Sequence, residues 1–412
     1  MISAPAVVFL YRESKPLHRE IFRDFVRAIA DSGHLSVCVA PEGTPLDGER
    51  IDHFEPYATG TGRREAMADA VVRAVERFEV VRLISTTEDD VIDAARMRER
   101  HAIPGTDTET AIHFRDKNAM VARAAELGFR TPRSCIPHTR ATLEAFASGV
   151  GYPVVVKPYD GISCGRTAKL SSPEELAELW PLVQPDRHDM RAEQYVEGRQ
   201  FHIDTIVRDG RTVFEAVAAY EVTLLDHYRH RSIGSVVSAA QDSPLEQRLL
   251  AATRKLITGL GLRTGIAHTE FFVTPQGELV FGESGARMGG GYIFPLYRQA
   301  FGLSLPYMWV RAELDPGYAP APDRRRDAAG DLLWTDATGV VEDITGEKEL
   351  LALPDVLEAQ VWKRTGTWIA APTEAGGQGL GFTVVGGDSP DEARANAAAT
   401  LRRFQVMAGP GR

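Results

Sequence analysis

Ala267-His268-Thr269-Glu270-Phe271-Phe272 and Phe281-Gly282-Glu283-Ser284-Gly285-Ala286-Arg287 flank a connection that contains Thr274-Pro275-Gln276-Gly277. Two apolar segments joined by a Pro/Gly turn predict an antiparallel hairpin. Each segment carries one carboxylate, Glu270 and Glu283, thirteen positions apart, and hairpin pairing can bring them side by side. Carboxylates held that close repel unless a cation lies between them. Hard oxygen ligands suit Mg²⁺, which takes a few carboxylates together with substrate phosphates. Arg287, four residues past Glu283, adds a forked donor suited to phosphate or carboxylate. The hairpin thus predicts a metal–nucleotide site.

Working outward, the preceding 200 residues supply matching parts. Pro153-Val154-Val155-Val156-Lys157-Pro158 reads as a β-branched strand ending in lysine, followed by the loop Asp160-Gly161-Ile162-Ser163-Cys164-Gly165. Backbone N–H groups of such a loop can reach phosphate oxygens, and the lysine adds a point charge. Asp116-Lys117 opens a helix running to about residue 127, with Gly128 as its stop. A strand over 191–196 contains Glu193-Gln194-Tyr195-Val196, an extended hinge whose backbone can read an adenine edge. A second strand covers 201–207, and 245–260 reads as an amphipathic helix.

The first hundred residues alternate strand and helix: strands over 7–11, 35–40 and 80–85, helices over 16–32 and 66–78. That alternation predicts a parallel, doubly wound sheet. No G-x-G-x-x-G follows the first strand, so a dinucleotide fingerprint is absent. The stretch 315–330, rich in proline, charge and alanine, reads as a linker. Beyond it, short strands and a helix capped by Ser389-Pro390-Asp391-Glu392 predict a small α+β unit. The expected organisation is an N-terminal doubly wound α/β domain over 1–110, a nucleotide domain over 111–314 with a lid subdomain over about 131–200, the linker, and an α+β domain over 331–412.

Composition narrows the class. A chain of 412 residues with 43% apolar and 25% charged residues is an ordinary globular protein of two or three domains. A net charge of −10 disfavours nucleic acid bound through its backbone. No apolar run approaches the ~20 residues that span a bilayer. The N-terminus lacks a signal-peptide pattern, and Cys38, Cys135 and Cys164 are too few and too scattered for a disulfide framework or structural zinc. A reduced, cytoplasmic protein is expected.

Several residues also admit plainer readings. His268 shares a strand face with Glu270 and suits packing better than chemistry. His227 and His230 lie in the charged run His227-Tyr228-Arg229-His230-Arg231, which suits a solvated loop as well as a catalytic one. Cys164 has no histidine beside it in sequence and reads as a small loop filler. Tyr195 and Phe272 fit a core and an adenine pocket equally.

Taken in order, Asp116-Lys117, Pro153 to Pro158, Ser163-Cys164-Gly165, Glu193 to Gly198, His268-Thr269-Glu270 and Glu283 to Gly291 resemble the ATP-grasp superfamily. Within it they resemble the carboxylate–amine ligases of the L-amino-acid ligase type, over essentially the whole chain. The resemblance implies an ATP-grasp fold and ATP with Mg²⁺ (or Mn²⁺) as cofactors. Lys117, Lys157, Ser163 and Gly165 are then expected at the phosphates. Glu193, Gln194, Tyr195, Val196 and Phe272 are expected around adenine, Gln200 at the ribose, and Glu270 and Glu283 on the metal. Arg287 is expected to stabilise the transferred phosphate or acyl intermediate. The implied reaction joins a small-molecule carboxylate to an amine through an acylphosphate, releasing ADP and phosphate. His230 is the expected base for the amine, and a homodimer is compatible with the family. The chain departs from the family pattern at Gly285, where asparagine is common, and at Gln200, where glutamate is. The same motifs also admit two rival readings, a bicarbonate-activating carboxylase of the same superfamily and a nucleotide-binding homologue without catalysis.

Overall fold

The hairpin forms one edge of a large sheet. In the computed structural model, which describes residues 4–12, 17–46, 50–161, 166–183, 189–225, 234–323, 325–370 and 379–409, strands Gly265–Val273 and Leu279–Gly285 pair antiparallel. Glu270 stands directly opposite Glu283, with a bulge immediately after Glu270. The Gly277 N–H closes the turn on the Thr274 carbonyl at 2.8 Å.

From this edge the sheet continues through Arg199–Arg208, Arg211–Tyr220, Gly234–Val237, Asp327–Leu333, Gly381–Gly387 and Val356–Val361, eight strands among the described residues. Strand alternation sorts its residues. Phe201, Ile203, Ala267, Phe271 and Phe281 turn to one side, where they pack with Met120 of helix Lys117–Glu126 and with Leu249, Leu256 and Ile257 of helix Pro244–Gly259. Phe271 is fully buried, and burying a side chain of that size contributes ~1.5–3 kcal/mol. Gln200, His202, Asp204, His268 and Glu270 fall on the opposite side.

Two smaller sheets bracket this one. The N-terminal sheet is parallel, in the order His53–Tyr57, Leu35–Pro41, Ala6–Leu10, Val80–Ser85. It bears out the doubly wound expectation. Its edge strand His53–Tyr57 was illegible because Glu55 and Pro56 interrupt any apolar pattern. The second, antiparallel, runs Ser134–Cys135, Met190–Gln194, Val154–Pro158, Ala168–Leu170. With helices Arg140–Val150 and Pro173–Val183 it encloses its own core around Leu143, Val154, Val156 and Leu176. This unit occupies the span expected for the lid.

The linker expected over 315–330 is shorter. Asp327–Leu333 is a strand of the large sheet, paired with Gly234–Val237 on one side and Gly381–Gly387 on the other. Its sequence DAAGDLL contains no β-branched residue, so β propensity gave no sign of it. The large sheet therefore runs on into the C-terminal region. There a three-stranded sheet of Trp368–Ile369, Gly339–Ile344 and Val406–Gly409 is added. Helix Pro390–Leu401 is capped as its sequence predicts, the Ser389 side chain accepting from the Glu392 N–H. Among the described residues no helix is long and apolar enough to cross a membrane.

Candidate active site

Like charges placed directly opposite on adjacent strands destabilise a sheet, so the neighbours of Glu270 and Glu283 define the site. Lys117 Nζ lies 3.0 Å from Glu283 Oε1 and donates to the Gly161 carbonyl at 2.8 Å. The lysine is delivered by the first turn of its helix, where the Asp116 side chain caps the N–H groups of Asn118 and Ala119. Burial alone would raise the Glu283 carboxyl, but Lys117, Lys157 and Arg287 together hold it below the ordinary carboxylate range. Glu270 is compensated differently. Gln200 Nε2 donates to its Oε2 at 2.9 Å and Tyr220 OH to its Oε1 at 3.2 Å, while His268 Nε2 lies 3.4 Å from Oε1.

Beneath Glu270 lies a buried polar layer. Asp204 and His202 are fully buried, and His268 nearly so. Asp204 Oδ1 is 3.1 Å from His268 Nδ1 and accepts the Gly289 N–H at 3.2 Å. Its Oδ2 is 3.0 Å from His202 Nδ1 and accepts from Tyr297 OH at 3.0 Å. His202 Nε2 reaches Ser235 Oγ at 3.0 Å. Burial opposes ionisation of Asp204, yet the two imidazoles keep its carboxyl well below the usual range. The histidines diverge. Burial lowers His202, whereas Asp204 and Glu270 overcome burial at His268 and raise it to about 9. The spacing of His202, Asp204 and His268 could also hold a small cation, but each Nδ1 is instead turned onto an Asp204 oxygen.

On the smaller antiparallel sheet, Lys157 Nζ lies 2.8 Å from Glu193 Oε2, and Arg191 Nε donates to Glu193 Oε1 at 2.5 Å. Burial would lower the Lys157 ammonium, but Glu193 and Glu283 raise it. Arg191 is itself fixed by Asn118 Oδ1 at 2.7 Å and Ser134 Oγ at 2.6 Å. The strand ends at Gln194. The Gln194 and Tyr195 N–H groups are taken by the Arg133 and Pro153 carbonyls, and Lys169 Nζ sits 3.8 Å from the Tyr195 ring centroid. Phe272 is half-buried on the hairpin. It fits because a Cβ at Gly282 would stand only 3.1 Å from its ring.

Arg287 extends to the N-terminal domain. Its Nε donates to Glu88 Oε2 at 2.8 Å and its Nη1 to the Met288 carbonyl at 2.9 Å. Burial would weaken its charge, but Glu88, Glu283 and Glu270 strengthen it. Glu88 begins a short turn after strand Val80–Ser85, at the carboxyl end of the parallel sheet, the edge at which open α/β sheets present ligands.

The structure thus gathers Lys117, Lys157, Glu193, Glu270, Glu283 and Arg287 into one charge-linked group. Two expectations need refining. Glu193 presents its carboxylate to Lys157 and Arg191, and its backbone is register-paired with Ser134 on one side and Val155 on the other. The Gln200 side chain is occupied by Glu270 and by the Leu224 N–H at 2.9 Å, because alternation turns it to the carboxylate face. Ser163, Gly165 and Cys164 of the loop, and His227 and His230, lie outside the described residues. Tyr220, Arg191 and Glu88 also contact this group, and Asp204 and His202 back it through His268, beyond the residues expected from the sequence. Gln200-x-His202-x-Asp204 repeats the period of His268-x-Glu270, a polar alternation inside an otherwise apolar strand that was a usable signal.

The donor set fits a hard cation: two register-paired carboxylates, flanked by lysines suited to phosphate. Residues 122–289 match the family model for the ATP-grasp domain, and 332–407 match L-amino acid ligase C-terminal domain 2. An L-arginine-specific L-amino acid ligase of Bacillus subtilis is 24% identical over 373 residues, 87% of each chain. An alanine–anticapsin ligase of the same organism is 23% identical over 69% of this chain and 61% of its own. The crystal structure of an L-amino acid ligase from Bacillus licheniformis superposes with a TM-score of 0.81 at 19% identity, covering 99% of both chains.

Proposed function

We propose that this chain is an ATP-grasp ligase that joins the carboxylate of one amino acid to the amine of another at the expense of ATP. The observation that carries this reading is the register pairing of Glu270 with Glu283, with Lys117 on one carboxylate and Arg287 four residues beyond.

Glu270 and Glu283 would hold Mg²⁺, which neutralises phosphate charge as phosphoryl transfer requires. Lys117 and Lys157 exchange their present carboxylate partners for phosphate oxygens. The adenine edge is read where the lid strand ends, around Gln194 to Val196, with Phe272 against the base. A carboxylate is a poor acylating agent. Its oxygen attacks the γ-phosphorus of ATP, the bond to the β–γ bridging oxygen breaks, and ADP leaves. Arg287, poised on Glu88, turns its guanidinium to the transferred phosphoryl group and the developing acyl oxyanion. The amine then attacks the acyl carbon, the acyl C–O bond breaks with phosphate as leaving group, and the proton lost by the amine passes to solvent. Water competes for the acylphosphate, so closing the lid unit over the site excludes it.

ADP and phosphate release should be measured across single and paired amino acids with Mg²⁺, following products by mass, with Glu283→Ala as control. Release that requires a specific pair, yields the condensed product and vanishes in the variant supports the reading. Release driven by bicarbonate, or tight ATP binding without turnover on any carboxylate, would overturn it.

A further inference from the structure

We propose that Asp204 is a positioning residue that locks the metal carboxylate Glu270 and the backbone behind Arg287 into one rigid unit. The inference rests on the reading of Glu270 as a metal carboxylate. Asp204 lies one strand away from Glu270 and touches none of the groups assigned to nucleotide or substrate. It reaches them through two arms that leave the same oxygen. One arm runs from Oδ1 to His268 Nδ1 at 3.1 Å, and from His268 Nε2 to Glu270 Oε1 at 3.4 Å. The other runs from Oδ1 to the Gly289 N–H at 3.2 Å, two residues past Arg287.

The geometry leaves little freedom in either arm. His268 and Asp204 are register partners on adjacent strands, so the imidazole is held at its base as well as at its tip. Gly289 packs so closely that a Cβ there would stand 3.0 Å from His268 Nδ1 and 2.7 Å from Ile293. Only glycine lets this backbone approach the ring and still donate to Asp204. The second Asp204 oxygen is tied off by His202 Nδ1 and Tyr297 OH, each at 3.0 Å. With four donors around a fully buried carboxylate, rotation of the side chain would strand at least two of them. An unsatisfied buried polar group costs about 1–3 kcal/mol, so the carboxylate stays in one rotamer and its arms stay in register. Partners of this kind orient metal ligands, and their loss costs roughly 10–100-fold in metal affinity or activity.

The test reads metal binding, so it does not depend on knowing the substrates. ADP affinity is measured by calorimetry with Mg²⁺ and with EDTA for the wild type, Asp204→Asn, His268→Gln and the double variant. Asp204→Asn keeps the shape but offers an N–H where an acceptor is needed. The expected result is a Mg²⁺ requirement raised about 10–100-fold, ADP affinity in EDTA unchanged within about threefold, and a double variant no worse than the more damaged single one. That non-additivity is the mark of one residue acting through the other. Equal losses with and without metal, or losses that multiply in the double variant, would overturn the proposal. If Asp204→Asn does not fold, His268→Gln tests the same arm, and an unchanged Mg²⁺ requirement overturns it. Failure of the parent reading looks different: Glu283→Ala would then bind ADP with the wild-type Mg²⁺ dependence.

Discussion

The smaller antiparallel sheet and the large sheet solve the same electrostatic problem in opposite ways. On the smaller sheet, Lys157 stands directly opposite Arg191, two cations that repel. Glu193, two residues along the same strand as Arg191, accepts from both. The mediator is built into the sheet. On the large sheet, Glu270 stands directly opposite Glu283, two anions that repel. Their compensation is gathered from several elements: Lys117 from a helix, Gln200 and Tyr220 from other strands of the sheet, and His268 from the Glu270 strand itself. One pair is internally neutralised and the other is arranged to share an added cation. Lys157 links the two, since Glu283 as well as Glu193 strengthens its charge.

The largest effect is expected at the paired carboxylates. Replacing Glu283 with alanine should lower ADP release on the order of 10³-fold or more, since metal-borne charge stabilisation is worth several kcal/mol. A variant retaining a tenth of wild-type turnover would remove Glu283 from the chemistry. In the Lys157–Glu193–Arg191 trio, Glu193→Gln should cost about 3–5 kcal/mol of stability, the usual result of removing one partner of a buried ion pair, as read by denaturant unfolding. Unchanged stability would mean that the trio is solvated in solution. Arg287→Lys keeps the charge but loses the fork, and should lower turnover by about 10²-fold with near-normal folding. Equal turnover would make Arg287 only a tie to Glu88.

The smallest effect is in pH. Burial raises the Glu193 carboxyl, but Lys157 and Arg191 bring it below its ordinary value of 4.5. A carboxyl depressed on folding adds stability that is fully present above its unfolded value and lost as pH falls through its folded one. The wild type should therefore lose stability below about pH 4.5, and Glu193→Gln should show a shallower decline there. Identical slopes in the two proteins would show that Glu193 does not titrate between the folded and unfolded states.

Periodicity and turn chemistry determined much of this protein. The hairpin, its two carboxylates, the lysine-ending strand, the helix opening at Asp116-Lys117 and the parallel N-terminal sheet are all local patterns, and local patterns are written in consecutive residues. Even the cap at Ser389 followed from spacing. The tertiary structure alone decided which charges meet. Glu88 and Arg287 are 199 residues apart in sequence, and no local period links them. Gln200 faces Glu270 because three strands pair in one register, a matter of long-range hydrogen bonding. Asp327–Leu333 became a strand because two neighbours offered it hydrogen bonds on both sides, overriding a composition that reads as linker. Asp204 showed a period but no purpose until Gly289, His268, His202 and Tyr297 closed around it. Sequence specifies the period of an element and the chemistry it carries, while the partners of a buried charge depend on register between distant strands.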